Sequence, residues 1–454
     1  MMSKIKFILA TSFGEIERMR ERILLCKPRM CGRELDYIRA ALAEDWAVPL
    51  GPDVTGFEKD LEEFVNSPSL PSTPQRDAVN LPPCGGNVGG CKKVVALSAG
   101  TAAVHLALIA CGVGVGDEVL VQSFTFCASS HPITYLGATP VFIDSERASW
   151  NMNPTLLEEA IKDRMAKTGK KPKAIIPVAL YGMPYQVDKI MEIANRYEIP
   201  VIEDAAEGLG SRYNGRVLGT FGKYGVLSFN GNKMITTSGG GALICDNDED
   251  KNTVMWYATQ ARESYPYYQH EAIGYNYRMS NICAGIGRGQ MTVLDEHIAH
   301  HKHVQAMYCE LLKDVRGITM HTNPGKEYDS NFWLCTATLD PELKIKGQEN
   351  AYKTIVNGAV GGAAGVIHTA TTATTDCQPN DNVEALRVHL DKANIEARPL
   401  WKPMHKQPVY KNAPAYVNGV SEALFKVGIC LPAGPYVTDD DVRYIVRNIK
   451  DAIL

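Results

Sequence analysis

No apolar run in this chain approaches the roughly 18 residues that a membrane-spanning helix needs. No polybasic stripe or basic helix-turn-helix stretch is present, and the formal net charge is −4. Nucleic acid and anionic membrane are therefore not the expected partners. No internal repeat is visible. The opening segment MMSKIKFILATSFGEIERMR has a basic start, but its apolar stretch, FILA, is too short for a signal-peptide core and acidic residues follow at once. The expected location is cytoplasmic.

The 12 cysteines form no small disulfide framework. Cys111, Cys245 and Cys430 sit in apolar runs and read as buried thiols. Cys84 and Cys91 flank GGNVGG and could bond or bind metal, but no second Cys/His pair stands nearby, so no metal site is expected. GGNVGGCKK also lacks the order of a phosphate loop: Cys91 separates Gly90 from Lys92, and no Ser or Thr follows.

What is present is an alternation. From about residue 94, strand-like runs (VVALS, EVLVQS, TPVFID, AIIPVAL, IPVIED, GVLSF, GGALICD) are separated by helix-like stretches. In YQVDKIMEIANRY, Val187, Ile190, Ala194 and Tyr197 recur at steps of three and four, one face of a helix. Repeated strand–helix–strand units at this spacing predict an α/β fold with a mostly parallel sheet covered on both faces. After about residue 250 the alternation fades into the tyrosine-rich SYPYYQHEAIGYNYRMSN. The last 150 residues hold the strand-like FWLCTATLD, the helix-like NVEALRVHLDKAN, and a final helix, DDDVRYIVRNIKDAIL, with acidic residues in its first turn. This predicts a smaller α+β C-terminal domain. The division expected is an N-terminal extension (1–27), a large domain (28–300) and the small domain (301–454). Residues 67–93, rich in Pro, Gly and Ser, read as an inserted loop, and 357–376 as a second, small-residue insert.

Three features carry chemistry. SAGTAAVHLAL (98–108) follows a strand and opens a helix, so Gly100 and Thr101 lie where backbone N–H groups lack intrahelical partners and can hold an anion. By itself this reads first as a capped helix end. VIEDAAEGLGS (201–211) places Asp204 at the end of a strand, where functional side chains of open α/β sheets gather; a loop carboxylate is the plainer reading. Lys233, in FNGNKMITTSGGG, follows GVLSF by a few residues. The stretch after it offers no other charge, which suggests a crowded site, and a lysine of lowered pKa in such a site can attack carbonyls. One cofactor asks for all three: pyridoxal 5′-phosphate has a phosphate, a ring nitrogen best kept protonated, and an aldehyde that forms a Schiff base with lysine.

The blocks SAGTAAVHLAL, PVALYGMP, VIEDAAEGLGS, GTFGKYGVLSFNGNKMITTSGGG and GYNYRMSN stand in the order of the sugar-nucleotide aminotransferases, the DegT family of fold-type I pyridoxal phosphate enzymes, and the chain resembles that family over residues 28 to 450 apart from the two inserts. FNGNK, TTSGGG and ARPLWKPMHKQPVY look most like the branch acting on UDP-linked 4-keto-6-deoxy sugars. The resemblance implies a large domain with a mostly parallel central sheet plus a smaller α+β domain. It places Lys233 on the Schiff-base lysine and Asp204 on the partner of the pyridine nitrogen. Gly100, Thr101 and Ala102 fall on the phosphate-binding turn and Ser228 on a phosphate-binding hydroxyl. Phe126, in SFTFCAS, falls on the aromatic that stacks on the ring. Asn276, with Arg278 as a second candidate, matches residues reaching the phosphate from a neighbouring subunit, which implies a homodimer with shared active sites. Arg398, Trp401 and His405 are candidates for sugar-nucleotide contacts, each with a structural alternative. The reaction implied moves an amino group from L-glutamate to a nucleotide-linked keto sugar, as in polysaccharide biosynthesis, with Lys233 shuttling the proton. The small residues of TTSGGG are expected to leave room for the sugar nucleotide.

One position departs from the family. Where its members often have His or Gln three residues after the aspartate, this chain has Glu207. A carboxylate beside the ring hydroxyl would repel it unless one of the two is protonated, so either Glu207 turns away, which is the expectation here, or the bond between lysine and cofactor has an altered pKa. The alternatives are a sugar dehydratase, which usually has His in place of the lysine, another lyase of this fold type, or a cofactor-binding regulator without enzymatic activity.

Overall fold

In a computed structural model, residues 20–67, 91–352 and 377–454 are described. Cys84 and nearly all of the two predicted inserts lie outside them. The strands in chain order are β1 (Lys93–Leu97), β2 (Glu118–Gln122), β3 (Thr139–Ile143), β4 (Ala174–Ile176), β5 (Ile202–Asp204), β6 (Arg212–Tyr213), β7 (Arg216–Val217), β8 (Tyr224–Ser228) and β9 (Gly241–Cys245). They continue with β10 (Ile318–Met320), β11 (Tyr328–Asp329), β12 (Cys335–Leu339), β13 (Arg398–Pro399), β14 (Ala415–Tyr416) and β15 (Gly428–Leu431).

Two four-stranded sheets, ordered β1-β9-β8-β5 and β14-β3-β2-β4, are joined by parallel bridges from Ile175 to Val201 and from Val178 to Asp204. The result is one central sheet, parallel at β14–β3, β3–β2, β2–β4 and β5–β8. The exception is β9, antiparallel to both β1 and β8. Its β-branched and aliphatic strands are buried on both faces, as their unbroken apolar runs require. The helix Val187–Arg196 turns Val187, Ile190 and Ala194 into the core and leaves Tyr197 half-buried. Cys245 and Cys430 are buried as expected, whereas Cys111 is only half-buried because it ends the helix Gly100–Ala110.

A second sheet, ordered β10-β12-β15-β13, shares an apolar core with the helices Leu294–Leu312, Asp381–Lys392 and Asp439–Ala452. The last helix begins with a capping box. Thr438 Oγ1 accepts from the Asp441 N–H at 3.1 Å, and Asp441 Oδ2 accepts from the Thr438 N–H at 2.9 Å. Among the described residues no helix is long and apolar enough to cross a membrane.

The strand ends fix where chemistry can occur. β1, β5 and β8 point the same way, so the helix start at Gly100, Asp204 and Ser228 all emerge at their carboxyl ends. Gly241 pairs with both Leu97 and Ser228 at this edge. A Cβ on Gly241 would lie 2.4 Å from Gly100 N, so the strand and the helix start touch backbone to backbone. Thr236 and Thr237 are buried, and a Cβ on Gly240 would meet Thr237 Oγ1 at 2.2 Å. TTSGGG therefore does not provide clearance for substrate: most of the run is packing that seats β9 against the helix, because only residues of little bulk allow that approach.

Candidate active site

A cavity of about 180 Å³ lies at these strand ends. Gly100, Thr101, Phe126, Asp204, Ser228, Lys233 and Trp401 all line it, so seven of the positions singled out in the sequence converge although they span 301 residues. Helix Gly100–Ala110 aims its N-terminus here, and no side chain caps that end. A Cβ on Gly100 would fall 3.0 Å from Ser228 Cβ, so the glycine keeps the helix start and the Ser228 hydroxyl side by side. Ala102 lies one turn in and is buried, outside the lining. Phe126, 55% exposed, presents its ring at the mouth.

Asp204 is buried and doubly held: Ser129 Oγ donates to Oδ2 at 2.6 Å, and the Ala206 N–H to Oδ1 at 3.1 Å. Ser129 also shares a hydrogen bond with Thr125 at 2.8 Å. Burial pushes the Asp204 carboxyl above the usual range; the Ser129 hydroxyl, the Ala206 N–H and the nearby Lys233 charge oppose it. A buried carboxylate short of a full counter-charge is suited to a cationic ring nitrogen.

Lys233 has a side chain only 13% exposed. It projects from the turn after β8 and is flanked by Trp333 and Glu207. Nζ lies 4.1 Å from the centroid of the Trp333 ring, a cation–π contact, and 3.4 Å from Glu207 Oε1. Trp333 Nε1 donates to the Asn232 carbonyl at 2.7 Å, which pins the residue next to the lysine. Glu207 is thus not turned away, contrary to expectation. Its Oε2 accepts the Tyr181 N–H at 2.6 Å, and Asn331 Nδ2 donates to the Glu207 and Leu209 carbonyls, so the loop can present the carboxylate only inward.

The remaining candidates separate. Trp401 lines the wall, its ring centroid 6.3 Å from that of Phe126 and its backbone N–H donated to the Tyr181 hydroxyl at 2.7 Å. His405 does not reach the cavity: Nδ1 meets Ser123 Oγ at 2.6 Å and Nε2 meets Glu422 at 3.2 Å, so both ring nitrogens are committed to structure. Arg398 pairs with Glu396, Nη2 to Oε1 at 2.7 Å, and is also outside the lining. Asn276 is exposed, bridged to Thr259, and away from this chain's own cavity. Arg278 bridges Leu97, and its Nε is buried with no partner among the described residues. Ser129, Tyr181 and Trp333 were missed as site residues. Ser129 and Tyr181 carry no local signal. Trp333 lies 100 residues from Lys233 and reads only as part of a strand.

The DegT/DnrJ/EryC1/StrS aminotransferase family model matches residues 87–361 and 362–450. The chain belongs to this family. It is a fold-type I, pyridoxal phosphate-dependent aminotransferase. EpsN of Bacillus subtilis (strain 168), assigned as a pyridoxal phosphate-dependent aminotransferase, is 40% identical over 94% of this chain and 95% of its own. The GDP-perosamine synthase of Caulobacter vibrioides is 30% identical over 95% of this chain and 99% of its own. The crystal structure of a DegT/DnrJ/EryC1/StrS aminotransferase from Brucella abortus superposes with a TM-score of 0.74 at 26% identity, covering 92% of this chain and 95% of that one. The cavity fits the family's cofactor on its own chemistry: an uncapped helix start beside a hydroxyl for a phosphate, a buried acid for a ring nitrogen, and an enclosed lysine for an aldehyde.

Proposed function

We propose that this protein transfers an amino group from L-glutamate to a keto sugar linked to a nucleoside diphosphate, for polysaccharide or other amino-sugar biosynthesis. The observation that carries this is the convergence of Lys233, Asp204 and the Gly100–Thr101 helix start on one cavity. When bound, pyridoxal phosphate supplies an aldehyde that bonds to amines and a ring that accepts the electron pair left by a broken Cα–H bond. In this reading Lys233 would be the covalent anchor, and its freed Nζ would take the proton from the donor Cα and pass it to the cofactor carbon that carries the nitrogen, then move a proton in the opposite sense, from that carbon to the sugar carbon, in the second half-reaction. Asp204, fixed by Ser129, holds the ring nitrogen protonated. Gly100, Thr101 and Ser228 bind the phosphate through N–H and hydroxyl groups. Phe126 covers the ring, and Trp401 forms the wall on the substrate side.

A homodimer completes the site. Asn276 and Arg278 lie outside their own chain's cavity, on a tyrosine-rich segment whose Tyr267, Tyr268 and Ile273 are exposed. They reach the cavity of the partner in this reading. The nucleotide sugar we favour is a UDP-linked 4-keto-6-deoxy sugar. Likeness to a GDP-perosamine synthase over nearly the whole chain favours a GDP-linked sugar as the second reading. The test is to incubate the holoenzyme with L-glutamate and a panel of UDP-, dTDP- and GDP-linked keto sugars, following 2-oxoglutarate release and the aminated sugar by mass spectrometry. Turnover with a UDP-linked sugar alone supports the first reading. Turnover with a GDP-linked sugar alone replaces it, and no 2-oxoglutarate with any sugar removes glutamate as donor.

A further inference from the structure

Glu207 has no task in the reaction as outlined, yet it is built into the cavity wall. Oε2 is taken by the Tyr181 N–H at 2.6 Å, and Tyr181 itself is held in the left-handed region, at φ 56°, with its hydroxyl accepting from the Trp401 N–H. The Glu207 carbonyl accepts from buried Asn331, whose Oδ1 accepts from the Trp333 N–H at 2.8 Å. The carboxylate is fixed from both sides, and its other oxygen is left to Lys233 Nζ at 3.4 Å. The other titratable groups that face it are Asp204, the Tyr181 hydroxyl and the Cys430 thiol, and none of them brings positive charge. Lys233 is the cation that offsets it.

An ion pair of this kind depends on the state of the lysine. When an amine condenses with an aldehyde, one C=N bond forms and the carbonyl oxygen leaves as water with two hydrogens from the nitrogen. An ammonium that starts the reaction must first release its third proton to a base or to solvent, or regain it afterwards. Condensation at Lys233 therefore removes most of the N–H donors that face Glu207. Pyridoxamine phosphate carries no carbonyl at that carbon and leaves the lysine free.

We propose that Glu207 is a latch for the released lysine: in the resting protein, with the cofactor absent or in its amine form and no substrate bound, it holds Lys233 as an ammonium that gives up its proton only when Nζ acts as base, and so weights the enzyme toward the amine form of the cofactor. The inference rests on the reading of Lys233 as the covalent anchor. Glu207 is then a positioning residue that acts through Lys233, and a glutamine there would keep the acceptor for the Tyr181 N–H while losing the charge.

The experiment measures the dissociation constants of cofactor-free protein for pyridoxal phosphate and for pyridoxamine phosphate, in the wild type and in Glu207→Gln. Both ligands share ring and phosphate, so any general damage to the wall cancels in their ratio. We expect Glu207→Gln to shift the ratio about tenfold toward pyridoxal phosphate, the scale of a charge-assisted hydrogen bond. A ratio equal to that of the wild type, including the case where both constants weaken together, overturns the latch. Lys233→Ala tests the underlying reading separately. Loss of pyridoxal phosphate affinity with pyridoxamine phosphate affinity retained supports the anchor. If both constants stay at their wild-type values, Lys233 is not the anchor and the proposed function fails at that residue.

Discussion

The ring of Trp333 forms one side of the Lys233 pocket, its centroid 4.1 Å from Nζ, while its indole N–H holds the Asn232 carbonyl one residue before the lysine. One side chain thus fixes both the backbone that carries the lysine and the path of its amine. Trp333→Phe keeps an aromatic face but loses the hydrogen bond, worth about 1 kcal/mol. Turnover is expected to fall roughly tenfold through misplacement of the amine, with substrate KM little changed. Steady-state kinetics check it; a change confined to KM would show that the tryptophan serves binding instead.

Lys233→Ala should abolish the visible absorbance of bound pyridoxal phosphate and lower turnover by at least roughly 10²–10⁴-fold, the range of acid–base catalysis alone. The spectrum of the purified variant with added cofactor is the measurement, and a band like that of the wild type would refute the assignment.

Asp204→Asn should keep the cofactor better than it keeps activity, with turnover reduced roughly 10²–10³-fold, because an amide does not hold a ring nitrogen protonated. Ser129→Ala should show the same pattern more weakly, since it frees Asp204 Oδ2 without removing the acid. Equal loss of cofactor and turnover in Asp204→Asn would count against its role.

Gly241→Ala places a Cβ 2.4 Å from Gly100 N and 2.5 Å from the Ala99 carbonyl carbon, both backbone atoms. The helix start must move, at a cost of about 1–3 kcal/mol or more. Urea denaturation should show the lost stability, and phosphate-dependent cofactor affinity should fall with it. Gly239→Ala is the control, because a Cβ there meets nothing within 4 Å.

Glu203 points away from Asp204 into the core, accepting from the Tyr185 hydroxyl and the Phe221 N–H. Burial raises its carboxyl from 4.5 to about 7, against the pull of those hydrogen bonds and of Lys92. The folded protein therefore keeps this proton up to about pH 7, while the unfolded chain loses it near 4.5. Folded protein binds more protons between the two values, so this group's contribution to stability is largest below pH 4.5 and is lost as pH rises to 7. The loss is on the order of 3 kcal/mol. Glu203→Gln should be more stable than the wild type at pH 8 and show little advantage at pH 5, measured as melting temperature. An advantage of the same size at both pH values would show that the glutamate is ionised in the fold throughout.

The strands and the mostly parallel sheet were legible because each parallel strand is an unbroken apolar run that cannot be mistaken for a half-exposed one, whereas the order of the strands and the antiparallel β9 were not. Lys233, Asp204 and Gly100 were legible for a related reason: each follows such a run, and the carboxyl ends of parallel strands share one edge. Glu207, Ser129 and Trp333 were not. Their roles depend on contacts across 26, 75 and 100 residues of chain, and local pattern has no access to such distances. The sequence left His405 open between a substrate contact and a structural role for the same reason, since Ser123, its hydrogen-bond partner, lies 282 residues away.

By itself the sequence determined an α/β chain whose strand ends collect a lysine, an acid and a helix start at Gly100. Only the tertiary structure decided what surrounds them. The run TTSGGG was compatible with open space or with tight packing, and the approach of Gly241 to Gly100 chose packing. Glu207 was free in sequence to face either way. Its backbone is tied down by Asn331 and its carboxylate by the Tyr181 N–H, so a buried carboxylate was left facing the lysine, and electrostatics in a low-dielectric pocket does the rest.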